Sequence, residues 1–248
     1  MERTNRKYLY RLISFCILLV VWEVLTKYFP PLVVPRIKDV LTSLSTILIS
    51  SKLRHMILIT IVRLLKGLTI GILSGLVVGI LMGKHKVVKG ILMPFVTMIQ
   101  TIPPVSWLVL ALVWFGFNGK PSIFIVVTAA LPITSIHVCN GIERISKPLL
   151  EMCEIYHFSS MKTLRHLIIP SIWPQLESAI QISIGIGWKI CVMGEVLTVN
   201  DGIGGMIKDA RLNMEPEMII AWSIVVVLLF ELSDAIFKKY AKKEEIPC

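Results

Sequence analysis

The sequence predicts an all-α, polytopic membrane protein with about six transmembrane helices, and three observations carry that prediction. Of 248 residues, 55% are hydrophobic and only 17% charged, with a mean hydropathy of +0.77. A soluble domain of this length has too little interior to hide so much apolar surface. Apolar runs long enough to cross about 30 Å of hydrocarbon recur along the chain, separated by short basic segments. Inside one such run, Gly67, Gly71, Gly75, Gly79 and Gly83 stand at every fourth position. Small residues at that spacing let helices approach closely in lipid, where hydrophobicity cannot drive association.

The spans fall at about 9–25, 57–82, 91–117, 123–138, 174–197 and 218–237. The basic start (Arg3, Arg6, Lys7 and Arg11) with the apolar run behind it resembles a signal peptide. No small-x-small cleavage site follows, so an uncleaved first span is expected. This span carries an acid, Glu23, near its far end. Residues 30–56 are too polar and interrupted to cross, and Val34-Pro35 opens a short helix over 36–49 on the outer surface.

The second span holds the glycines. Each costs about 1 kcal/mol against alanine inside a helix, so five of them require a reason. Packing within the subunit and a seam between two subunits are the two readings, and the first is preferred. Lys84, Lys86 and Lys89 then mark a short loop. The third span is interrupted by Pro103-Pro104, which must bend or break it, and the fourth contains Pro132. The fifth contains Gly185-x-Gly187-Trp188-Lys189 and Glu195, and a lysine-rich tail with Lys238, Lys239, Lys242 and Lys243 follows the sixth.

Residues 151–174 form a charged, amphipathic island between the fourth and fifth spans. Glu151 and Glu154 interleave with apolar residues in its first half. In the second, Met161, Leu164, Leu167 and Ile168 share one helical face, and Lys162, Arg165 and His166 take the other. Pro170 is expected to end that helix, with Pro174 in the first turn of the next. Two short helices with a bend between them, held at a membrane surface, suit docking by a soluble partner.

This island resembles the cytoplasmic loop of ABC-importer permease subunits, whose pattern is Glu-Ala-Ala, three residues, Gly, and a close on Ile-x-Leu-Pro. Glu151, Met152 and Cys153 stand at the Glu-Ala-Ala positions, His157 at the Gly, and Leu167-Ile168-Ile169-Pro170 at the close. His157 departs from that pattern. The departure matters if the bend needs positive φ, which histidine tolerates better than most residues. Ile102-Pro103-Pro104 with Trp114-Phe115-Gly116 is a second patch of resemblance, to permeases of nitrate, sulfonate and taurine importers. Trp188, Val192 and Glu195, with Gly202-x-Gly204 and Ala210-Arg211, are a third.

The resemblance implies the type I ABC importer permease fold as a single domain over 1–248, with a core at 57–238 and a cytoplasmic coupling loop at 140–170. It implies contact with an ATPase subunit through Glu151, Met152, Cys153, Glu154, His157, Phe158 and Pro170. It implies a substrate pathway near Trp188, Lys189 and Glu195. The implied partners are ABC ATPase subunits, an extracytoplasmic solute-binding protein, a second permease expected to be identical, and the lipid bilayer. The substrate expected is a small anion (nitrate, a sulfonate or taurine) or a vitamin precursor.

Lys189 has two readings. Counted along its helix it lies past the midplane, where a lysine needs a partner or a wet cavity. Glu195 is six residues away and about 240° round the helix, so it is a poor partner. Glu23 reaches a similar depth, which makes a structural Lys189–Glu23 pair the first reading. A lysine lining the pathway and drawing in an anion is the second.

The chain carries no G-x-x-x-x-G-K-[ST] loop, so ATP and magnesium are expected on the partner ATPase, with no cofactor in this chain. The five histidines lack metal-ligand spacing, and the five cysteines show no C-x-x-C pair; no enzyme activity of its own is expected. A secondary carrier or channel is the alternative, but it would show internal repeats and clustered midplane charges. The excess of 26 Lys and Arg over 16 Asp and Glu has no interleaved aromatics, so nucleic acid is not an expected partner. With both termini and the Glu151 island inside, fifteen Lys and Arg lie inside and eight outside. That bias predicts a multi-pass protein of the cell (inner or plasma) membrane with cytoplasmic termini.

Overall fold

In a computed structural model of the chain, residues 2–241 are described. Lys242, Lys243 and Cys248 lie outside them, as do the side chains of Arg3, Arg6, Lys7 and Arg11. All regular structure among the described residues is helical. The order is α1 (Glu2–Tyr28), α2 (Ile37–Ile49), α3 (Ser51–Lys84), α4 (Lys86–Thr101), α5 (Pro104–Phe115) and α6 (Lys120–Glu143). Then come α7 (Lys147–Ile155), α8 (Ser160–Thr163), a π-helical turn (Leu164–Ile168), α9 (Ile169–Thr198), α10 (Gly202–Leu212) and α11 (Pro216–Ala241). Four stretches are long and apolar enough to cross a membrane: α3, α6, Ser160–Thr198 and α11. The pair α4–α5 passes the same test as one broken unit bent by 95°. The first expected span lies within α1, whose Trp22 donates its indole N–H to Pro35 O at 3.0 Å.

The centre of the bundle is α3 against α6. A Cβ on Gly67 would come within 2.7 Å of Val126, one on Gly71 within 2.7 Å of Ala130, and one on Gly75 within 2.7 Å of Leu131 O and Thr134. Gly79 meets Val138 and Gly83 meets Ile142 in the same way, again at 2.7 Å. The partners on α6 also advance by four, so two matched ridges run side by side for most of both helices. This places the glycine face inside the subunit. The opposite face of α3, with Ile70, Leu73 and Val77 more than half exposed, is left to lipid or another chain.

Three glycines of α9 seat it on three neighbours. Gly185 faces Phe230 of α11, Gly187 faces Leu64 and Leu68 of α3, and Gly194 lies against Ser122 and Ile125 of α6. The amphipathic α2 buries Val40 and Ile47 in the cluster that contains Ala221 and Trp222 of α11. That explains why a segment too polar to cross still forms a stable helix.

Pro170 does not end a helix, contrary to the sequence reading. The chain runs helically from Ser160 to Thr198, and Pro174 lies inside α9. The reason is the π-helical turn, in which Ile169 N–H reaches back to Leu164 O. A wider turn just before Pro170 accommodates its ring and missing N–H without a break.

Gly75→Val should force a branched side chain against α6 backbone and cost about 1–3 kcal/mol of stability. Gly90, in α4, has nothing within 4 Å of its Cβ position. Gly90→Ala should therefore stabilise by up to about 1 kcal/mol. Thermal unfolding of the two purified variants in detergent checks the contrast.

Candidate functional site

At the end of α7 the chain turns through a Schellman motif. Phe158 N–H donates to Cys153 O at 2.8 Å and His157 N–H to Glu154 O at 2.9 Å. These bonds close only with a left-handed residue between helix and exit, and His157 has φ +52°. So the residue at the pattern's glycine position does occupy glycine's backbone region. Ser159 then caps α8, its hydroxyl accepting from Lys162 N–H.

The turn sorts its side chains. Cys153 points inward and is 4% exposed, beside a cavity of about 680 Å3 that Lys84, Lys86, Glu143, Lys147 and Phe158 also line. Glu151 is exposed, together with Met152, Ile155 (73%) and Tyr156 (70%), and the exposed Glu154 also lines that cavity. Pro170 sits three residues beyond the half-buried Leu167 and two beyond the buried Ile168, where α9 enters the bundle. The α4 side of this end is tied down by Lys89 Nζ on Glu143 Oε1 at 2.7 Å.

At the other end, Glu195 is wholly enclosed. Its Oε2 accepts from Thr60 Oγ1 (2.8 Å) and Gly204 N–H (3.0 Å), and its Oε1 from Arg63 Nη1 (2.9 Å). Arg63 Nη2 continues to Asp201 Oδ1 at 2.8 Å, and Ile203 N–H donates to Thr60 Oγ1 at 2.8 Å. The carboxylate thus joins α3, α9 and the first turn of α10, where unpaired N–H groups and the helix dipole favour an anion. Gly202 has φ +75°, and a Cβ there would meet Glu195 Oε1 at 2.5 Å. A Cβ on Gly204 would collide with Glu195 itself. The Gly-x-Gly spacing is what lets α10 begin on top of the acid. Glu195, expected on the substrate pathway, is enclosed within this network.

Between the two ends, Pro103 deprives Ile99 O of its helical donor, and the indole N–H of Trp107 takes that acceptor at 3.2 Å. The 95° bend is therefore satisfied rather than frayed. A cavity of about 250 Å3 lies in its crook, lined by Gln100, Trp107, Thr128, Pro132, Ile186 and Ile190, among others.

Lys189 does not line this cavity; it lies 60–100° round α9 from Ile186 and Ile190, which do, by the roughly 100° step of a helix. It shares an exposed face with Ser178 and Ile182. Glu23 is also exposed, and the two form no ion pair. The expected Lys189–Glu23 bridge is not made within the chain, because Glu23 lies on α1 and α9 packs on α3, α6, α10 and α11 instead. Trp188 turns the other way, 3% exposed, with its indole N–H on Ser233 Oγ at 3.3 Å. It braces α9 on α11.

Residues 67–244 match the family described as "Binding-protein-dependent transport system inner membrane component". The chain belongs to that family. It is an ABC importer permease, a multi-pass membrane subunit that works with an ATPase and a solute-binding protein. The permease is 29% identical over 202 residues to the aliphatic sulfonates transport permease SsuC of Escherichia coli, across 82% of this chain and 77% of that one. It is 24% identical over 223 residues to the taurine transport system permease protein TauC of the same organism, across 87% and 81%. Its fold matches a chain of a bacterial ABC transporter involved in the import of the acidic polysaccharide alginate. The TM-score is 0.69 at 14% identity, covering 98% and 99% of the two chains.

Sequence reasoning did not join Arg63, Thr60 and Asp201 of this permease to Glu195. The available signal was electrostatic: Arg63 and Glu195 are opposite charges on two spans, and each needs a partner.

Two outcomes follow for the permease. His157→Gly should be neutral or stabilising, and His157→Val should lose about 1–2 kcal/mol, read by thermal unfolding. Glu195→Ala strands Arg63 and should cost about 3–5 kcal/mol, whereas Arg63→Met with Glu195→Leu should recover most of it. Yield of monodisperse protein on gel filtration checks the second.

Proposed function

We propose that two identical copies of this permease form one translocation pathway on a pair of ATPase subunits, with α7 and its His157 turn as the coupling element. The observation that carries the proposal is the outward face of that turn. Ile155 and Tyr156 stay largely exposed beside Glu151 and Glu154, although Cys153 of the same turn is buried. A rigid knob with apolar and acidic groups on show suits a groove on a soluble protein. ATP and magnesium are handled by that partner, and this chain contributes no cofactor.

Lysines 84, 86 and 147 gather at the α7 end, which puts that end and both termini in the cytoplasm on this reading. The solute-binding protein then meets the opposite end, where α2, α10 and Asn118 lie. Lys189 faces the second copy across the pathway. A lysine there favours an anionic solute, and the similarity to sulfonate and taurine permeases supports a small sulfonate.

The test is a proteoliposome assay of the permease with its ATPase and binding protein, reading uptake and ATP hydrolysis together. Glu151→Lys with Glu154→Lys should leave hydrolysis running while uptake falls at least about tenfold, a loss of about 1.4 kcal/mol of coupling. Lys189→Met should keep stimulated hydrolysis and weaken anion uptake selectively. Uptake by the permease without an ATPase, or indifference to all three changes, overturns the reading.

A further inference from the structure

Lys66 takes no part in the Glu195 network or in the α3–α6 glycine contacts. It is exposed, lies well inside the long apolar helix α3, and has no ion-pair partner among the described residues. Lys120, at the start of α6, is exposed and equally without an acid. Both line one open cavity of about 540 Å3, with His55 and Asn118 at its rim and Leu58, Val62 and Ile123 in its wall.

Depth and direction decide what such a pocket can hold. Lys66 is 18 residues from Lys84 at the opposite end of α3, which is about 27 Å of helix. Against a hydrocarbon core of about 30 Å, that sets Lys66 at the boundary of the leaflet on the α2 and α10 side. Lys120, at the start of α6, which runs parallel to α3, lies just beyond it. Leu64 and Leu68, two residues to either side of Lys66, are the ones that reach Gly187 of α9. Two residues turn about 200°, so Lys66 points away from α9 and from the Lys189 face. The pocket therefore opens sideways, with ammonium groups at headgroup level over an apolar wall.

We infer that this pocket holds the headgroup of an anionic phospholipid, its phosphate between Lys66 and Lys120 and its acyl chains along Leu58, Val62 and Ile123. A cation at the edge of the hydrocarbon is costly alone and is relieved by a phosphate at its own depth. The apolar wall distinguishes a lipid from a free anion, which would gain nothing from it. Arg63 lines the pocket too, but its guanidinium is held by Glu195 and Asp201.

The experiment is native mass spectrometry of the full-length permease released from nanodiscs of phosphatidylcholine with a minor share of phosphatidylglycerol. The expected result is retained phosphatidylglycerol, lowered about fivefold by Lys66→Gln and about 25-fold by Lys66→Gln with Lys120→Gln. Lys66→Arg should restore retention. Lys208→Gln, at an outer lysine bonded to Asn200, should leave it unchanged. Gel filtration confirms that each variant is folded. Equal retention in wild type and the double variant overturns the inference, as does displacement by excess inorganic phosphate. Disulfide cross-linking between copies through Val62→Cys would also overturn it, since a second copy would then cover the face.

Discussion

The direct contact of α3 with α6 is the constraint on which the remaining architecture depends. Two helices in lipid gain little from apolar side chains, which are as well solvated by acyl tails as by each other. What they gain comes from close backbone approach, and five glycines on α3 provide it along one ridge. Because the matching ridge on α6 also advances by four, the pair has one register. A shift of one residue would drive Val126 or Val138 into a turn bearing a side chain. With that register set, α9 docks through Gly187 on α3 and Gly194 on α6, and its position follows from theirs.

Irregular backbone appears where this frame leaves room for it, and each irregularity has its polar groups met. Ile99 O, orphaned by Pro103, is taken by Trp107. The N–H groups at the start of α10 are taken by Glu195 and Thr60. The turn after α7 satisfies the α7 carbonyls through His157 and Phe158, and the same device recurs after α10. There Met214 has φ +57° and Glu215 N–H donates to Ala210 O at 2.9 Å. Unmet groups at these depths would cost several kcal/mol each, so the satisfied breaks read as built features.

Much of this was legible in one dimension. Hydropathy placed the spans, glycine spacing announced a close helix contact, and the Glu151 pattern marked a turn with a special residue at 157. What stayed hidden depended on partners far apart in sequence or on backbone that no single residue dictates. Arg63 and Glu195 are 132 positions apart. The charge of Lys189 drew attention to Glu23 by depth alone, although depth says nothing about which helices touch. Pro170 misled for a different reason. A proline forbids one hydrogen bond, and a π-helical turn absorbs that loss without ending the helix. Gly202 and Gly204 were noticed as a pattern, but their purpose needed the acid beneath them.

These pieces give α9 its mechanical character. It spans 30 residues, about 45 Å, from the π-helical turn beside the α7 segment to Glu195 beneath α10. At its Leu164–Ile168 end the wide turn changes the pitch of the helix bonding, and Pro174 a little further on removes another backbone donor. At its Thr198 end Glu195 bonds it to Arg63 of α3 and to Gly204 N–H of α10, and three glycines hold it against three helices. The π-helical turn at Leu164–Ile168 therefore joins the α7 segment to a helix that is fixed at several points along its length. The cavity in the crook of the α4–α5 bend touches this helix at Ile186 and Ile190, between the contacts that Gly185 makes with α11 and Gly194 with α6.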